Sequence, residues 1–262
     1  MFGFKRRRRQ RIRNQPFPPE WLEILVRNVP YYRLLTPDEQ AELRAHIQVF
    51  LNEKRFEGCG GLQITDEIRV TIAAQACILL LHRQTDYYPK MRTVLVYPHH
   101  YFADFKQHLP GGAVLESVHA RLGESWYRGP VVLSWDDVQQ GSADIHDGHN
   151  VVYHEFAHQL DSESGANEGA PALPRRSMYI AWARVLGAEY QHLIEALKHH
   201  RHTFIDAYGA TNPAEFFAVI TEAFFEQPLQ LKRRHPDLYQ QLMAFYRQDP
   251  AARLAGGGTQ TA

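Results

Sequence analysis

Val151-Val152-Tyr153-His154-Glu155-Phe156-Ala157-His158-Gln159-Leu160 is the stretch on which the fold reading turns. Val152, Phe156 and Leu160 recur every four positions, which on a helix makes one buried stripe. No charged residue other than Glu155 interrupts the ten. The pattern predicts an embedded helix with an apolar back. On such a helix, residues four apart lie one turn above each other, so His154 and His158 share a face. Two imidazoles at that spacing can hold one Zn²⁺, and Glu155 beside them stands where a general base must be to reach an activated water. With 15 His and 17 Glu in 262 residues, His-Glu-x-x-His arises about 0.05 times by chance. The motif needs support from elsewhere in the chain.

A catalytic zinc takes three protein ligands and keeps one position open. In the longer HExxHxxGxxH pattern Gly and His would stand at 161 and 164, which are Asp161 and Ser164 here. The alternative is a carboxylate from a second helix. Asn212-Pro213 is a helix-entry signal, with Asn as N-cap and Pro at the first helical position. From there to Phe225 the run is nearly all apolar, and Glu215 and Glu222 are its only ionised residues. They lie seven apart, on one face. Buried carboxylates are costly unless paired or bound to a metal. Glu215 is therefore assigned to the metal. Glu222 is assigned to a hydrogen bond with a ligand histidine, an arginine salt bridge being the alternative. Asp161 is expected to orient a histidine, because its extra rise along the helix moves it away from the ion. On spacing alone Tyr208 reads as a packing residue, although a phenol near a metal can donate to an oxyanion.

Further out, Thr36-Pro37-Asp38-Glu39 is a capping box that opens a helix running to Phe50 or Leu51, and Asp66–Leu81 reads as another helix. Thr93–Tyr97 and Pro130–Trp135 read as strands, with a short strand around Glu124–Arg128 between them. Helices, a small sheet, then helices give an α+β fold in one domain, residues 16–250, rather than an alternating βαβ array. Residues 1–15 carry seven positive charges and little to bury, so they are expected as a basic disordered tail; residues 251–262 are expected to be flexible. A balance of 29 basic against 29 acidic residues argues against a dedicated nucleic-acid binder. With 44% hydrophobic residues the chain can build a core without disulfides. Cys59 and Cys77 form no CxxC pair and read as reduced thiols. The basic start is followed by no apolar leader, and the longest apolar stretch, 71–81, is too short to span a bilayer. The chain is expected to be soluble and cytoplasmic. His146, His149, His199, His200 and His202 are placed on solvated turns.

Three segments, HEFAHQLD (154–161), YGATNPAEFFAVITEAFF (208–225) and GPVVLSWDDV (129–138), together resemble the Mlc titration factor A (MtfA) family. The resemblance covers roughly residues 17–250. It implies a mainly helical zincin-like metallopeptidase domain with a small mixed sheet and an HExxH active-site helix, its catalytic part similar to anthrax lethal factor. It implies one Zn²⁺ per chain on His154, His158 and Glu215, with Glu155 as catalytic acid/base and Tyr208 assisting at the transition state. Glu222 sits further along than the second acidic residue of the lethal-factor pattern. A peptide or protein substrate is implied, and an Mlc-type transcriptional repressor as partner, with no direct nucleic-acid contact and no membrane span. Pro130–Trp135 is the candidate sheet edge for an extended substrate. Two functional expectations follow: a zinc-dependent peptidase, or a non-catalytic binding protein that sequesters a transcriptional repressor.

Overall fold

In a computed structural model, residues 2–99, 106–108, 114–116, 129–165 and 167–257 are described. Helices α1 (Phe2–Arg13), α2 (Pro19–Asn28) and α3 (Pro37–Glu53) lead into strand β1 (Arg55–Gly58). The capping box forms as read: the Thr36 hydroxyl accepts from the Glu39 amide at 3.3 Å, and the Glu39 carboxylate accepts from the Thr36 amide at 2.9 Å. Helix α4 (Asp66–Ile78) follows, three residues shorter than expected, and Leu79, Leu80 and Leu81 continue its apolar run as fully buried turns.

Strands β2 (Thr93–Tyr97), β3 (Lys106–His108), β4 (Val114–Glu116) and β5 (Val131–Ser134) complete the sheet elements. The main sheet has the order β1-β2-β5 and is parallel throughout, with Val94 opposite both Phe56 and Val131. The expected mixed sheet is thus corrected: the antiparallel β3–β4 pair forms a separate sheet. Parallel neighbours need a crossover, and α4 supplies one between β1 and β2, so one βαβ unit exists where the element order suggested none. β1 itself, Arg-Phe-Glu-Gly, has no apolar alternation to announce it. Among the described residues β5 lies at an edge of this sheet. The expected strand at 124–128 lies outside the described residues.

The remaining helices are α5 (Trp135–Ala143), α6 (Val151–Ser162), α7 (Arg176–Lys198), α8 (Pro213–Glu226), α9 (Pro228–Arg234), α10 (Pro236–Tyr246) and α11 (Pro250–Gly257). Aromatic packing fixes α6 and α8 in the centre. Phe156 on α6 meets Tyr88 and Phe50 at ring separations of 4.8 and 5.7 Å, and Tyr153 meets Phe225 of α8 at 5.2 Å. On the far side of α8, Phe224 stacks on Tyr246. No described helix is long and apolar enough to cross a membrane.

The described residues at both ends depart from expectation. The basic segment is not a disordered tail but helix α1, docked on α3. Arg9 forks onto Glu53 with contacts of 2.8 and 2.7 Å and reaches Asp86 at 2.6 Å, Lys5 reaches Asp86 at 2.8 Å, and Ile12 is buried. Bidentate arginine–carboxylate pairing neutralises one face and holds the helix down. At the other end α11 is anchored through buried Ala251 and through Arg253, which donates to Glu39 at 2.5 Å and to the Tyr31 hydroxyl at 3.1 Å. Burial opposes ionisation of Glu39, but its bonds with Arg253 and His82 hold its pKa down at about 2.

Candidate metal centre

Two asparagines set the site. Asn150 caps α6: its Oδ1 accepts from the amides of Val152 and Tyr153 at 3.1 and 3.0 Å. Its Nδ2 donates to Gln75 Oε1 at 2.8 Å, Gly141 O at 3.0 Å and Glu226 Oε1 at 3.0 Å, and its own amide donates to Glu222 Oε2 at 2.6 Å. One cap therefore ties α4, α5 and α8 to the start of α6. Asn212 caps α8, accepting from the amides of Ala214 and Glu215, with Pro213 at the first helical position. Glu215 consequently stands in the first turn, where the positive end of the helix favours a carboxylate.

The two helices bring three donor atoms together. His154 Nε2 lies 3.0 Å from Glu215 Oε2, His158 Nε2 lies 3.2 Å from the same oxygen, and the two nitrogens are 3.2 Å apart. Ligand atoms about 2.0–2.1 Å from a tetrahedral zinc are separated by roughly 3.3–3.4 Å. The triangle has nearly those dimensions, and its donor set, two imidazoles and one carboxylate, suits Zn²⁺. Among the described residues these three are a group able to hold a metal ion. The residues fit the group.

The electrostatics follow from burial and from the carboxylates. Burial works against a charged His154, yet Glu222, Glu215 and Glu155 outweigh it and hold its pKa well above the usual value. Glu215 behaves reciprocally: burial opposes its ionisation, and hydrogen bonds with both histidines bring it down to about 2. A proton and a cation compete for the same imidazole lone pair, so occupancy by a metal depends on pH. Glu155 is pushed above the usual carboxylate range, chiefly by burial, with His154 and His158 opposing.

The other residues singled out by the sequence divide by position. Glu222 lies where it was expected: its Oε1 accepts from His154 Nδ1 at 2.8 Å, so the ring presents Nε2 to the centre. Asp161 makes a hydrogen bond to the following loop, its Oδ2 accepting from the Gly169 amide at 2.8 Å, and its charge also interacts with His158. Tyr208 sits on the turn Ala207–Ala210, 46% exposed, its ring centre 5.9 Å from that of His154. The spacing reading of Tyr208 as packing does not describe this half-exposed position. Beside the triangle lies a cavity of about 360 Å³ whose walls include Asp137, Asp147, His149, Asp206 and Tyr208.

Sequence reasoning missed Asn150, Gln75 and Glu226. An Asn directly before Val-Val is a cap signal, but nothing local tells that its amide reaches Glu226, 76 residues away. Burial raises the pKa of Glu226 to about 9, with Asp147 and Glu222 adding to the effect and the Asn150 hydrogen bond opposing it. An acid whose pKa rises on folding holds its proton more tightly in the native state. Its contribution is full below the unfolded value of 4.5 and declines as the pH climbs through about 9. Glu226→Gln should therefore flatten the fall of Tm across that window, as measured by thermal denaturation at a series of pH values. A slope equal to that of the parent chain would contradict the assignment.

A family model described as glucose-regulated metallo-peptidase M90 matches residues 4–247. An uncharacterized protein of Synechocystis sp. is 43% identical over 244 residues, which is 93% of this chain and 89% of the relative. The Mlc titration factor A of Klebsiella pneumoniae (strain 342) is 35% identical over 243 residues, covering 92% of this chain and 90% of the relative. That of Escherichia coli O1:K1 is 34% identical over 237 residues, covering 89% and 88%.

Proposed function

The chain belongs to the glucose-regulated metallopeptidase M90 family, that of the Mlc titration factor A proteins, and from that premise we propose that it is a zinc-dependent peptidase. The observation that carries the reading is the convergence of His154 Nε2, His158 Nε2 and Glu215 Oε2 within 4.8 Å of one another. Held by those three atoms, zinc would supply Lewis acidity that brings the pKa of water toward about 7.

The rest of the chemistry falls to the chain. Glu155, poised above the usual carboxylate range, accepts the proton of the attacking water and hands it to the leaving amine. Tyr208 donates from its phenol to the oxyanion that develops on the scissile carbonyl. Glu222 fixes the tautomer and tilt of His154, and the Asn150 amide in turn fixes Glu222. The substrate strand runs along the edge presented by β5.

Elemental analysis of the purified protein tests the ligand set. One zinc per chain is expected, lost in His154→Ala, with peptide cleavage abolished by a chelator and restored by added Zn²⁺. Full zinc retention in His154→Ala would remove that residue from the site. The names of the Klebsiella and Escherichia relatives favour a second reading, in which an Mlc-type transcriptional repressor is the partner. Here the same variant binds such a repressor in a pull-down as well as the parent if sequestration is independent of the metal, and fails to bind if the two are coupled.

A further inference from the structure

Helix α1 holds seven cations between residues 5 and 13 and no carboxylate. Its inner face is matched: Lys5 and Arg9 meet Asp86 and Glu53, Arg8 donates to Asn52, and Ile12 is buried. The outer face is not matched. Arg6, Arg7, Arg11 and Arg13 are exposed and form no ion pair among the described residues. Phe4 is 82% exposed and lies three and seven residues before Arg7 and Arg11, on one stripe.

This arrangement is unfavourable within the chain. Arg7 and Arg11 repel at i, i+4, cations near the start of a helix oppose its dipole, and a phenyl ring stands in water. A surface that is anionic at the front and apolar just behind would offset all three. We propose that the outer face of α1 is a docking surface for an anionic phospholipid bilayer. Phe4 enters the boundary between headgroups and acyl chains, and Arg6, Arg7 and Arg11 bond lipid phosphates. A plane suits this face better than a nucleic-acid strand. A polyanion that wrapped the helix would find Lys5 and Arg9 on its inner face already taken up by Asp86 and Glu53, whereas a plane meets only what protrudes. The chain's zero net charge points the same way, since the attraction is confined to one helix about 18 Å long. The inference does not depend on the peptidase reading.

The test is co-sedimentation of the full chain with phosphatidylcholine vesicles containing about one-third phosphatidylserine. Each arginine is worth roughly fivefold in partitioning, so R6Q/R7Q/R11Q should bind about 100-fold more weakly. F4A should lose about tenfold, and raised salt should release the parent chain. The triple variant keeps Lys5, Arg9 and Ile12, so its circular dichroism and Tm should match those of the parent. Undiminished partitioning of the triple variant would overturn the proposal, as would equal binding to pure phosphatidylcholine or no vesicle binding at all. Tighter binding of an oligouridylate RNA than of the vesicles would overturn it in favour of nucleic acid.

Discussion

Glu155→Gln is expected to lower peptide turnover by about 10²–10⁴-fold, the usual contribution of a positioned general base, while zinc stays at one per chain. The amide keeps the shape of the side chain and removes only its capacity to take a proton. His154 and His158 flank the position on the same helix, and His154 draws its orientation from Glu222 at 2.8 Å. Metal content and turnover should therefore separate in this variant. Turnover within a few fold of the parent would exclude Glu155 as the base. Joint loss of zinc and turnover would place it among the ligands instead. Parallel repressor-binding measurements on the same protein separate hydrolysis from sequestration, because only hydrolysis needs the carboxylate.

The second large effect is expected at a residue that touches no ligand. Gly169 has φ +72°, and a Cβ built on it would stand 2.3 Å from the carbonyl oxygen of Pro213. The backbone cannot move aside easily. The Gly169 amide donates to Asp161 at 2.8 Å, and its carbonyl accepts from Trp182 Nε1 at 2.9 Å. Pro213 opens α8 two positions before Glu215, so relief of the clash displaces the very turn that carries this carboxylate. Gly169→Ala should lose about 3–5 kcal/mol of stability, from a left-handed backbone added to an overlap with backbone atoms. It should also weaken zinc binding. Urea denaturation and a competition titration with a chromophoric chelator measure the two effects. Parental values in both would show that the loop yields and that Glu215 is positioned independently of it.

Local chemistry reveals some parts of this architecture and hides others. Thr36 with Glu39, and Asn212 with Pro213, are complete instructions within four residues, and both caps form as read. The pair of carboxylates on α8 was legible because an apolar helix makes any charge conspicuous. Helix α1 was not. Its sequence alone is that of a solvated segment, and what orders it is Glu53 and Asp86, 44 and 77 residues away. β1 has four residues and no alternation, so only its pairing with β2 defines it. Asn150 before Val151 and Val152 carries a cap signal, but nothing local marks it as the junction of three other helices, since three of its partners, Gln75, Glu222 and Glu226, are 72 to 76 residues distant. Tyr208 shows the limit of spacing arguments, because a short turn and not a helix brings it beside His154.

The separation between His154 and Glu215, 61 residues, also sets a clock. Ribosomes add about 5–20 residues per second, so a nascent chain spends about 3–12 s with the first two donors made and the third not yet synthesised. During that interval neither half can hold an ion in a three-donor clasp. On the peptidase reading, the newborn polypeptide is thereby inert toward its neighbours, and itself, until the second helix emerges and folds against the first.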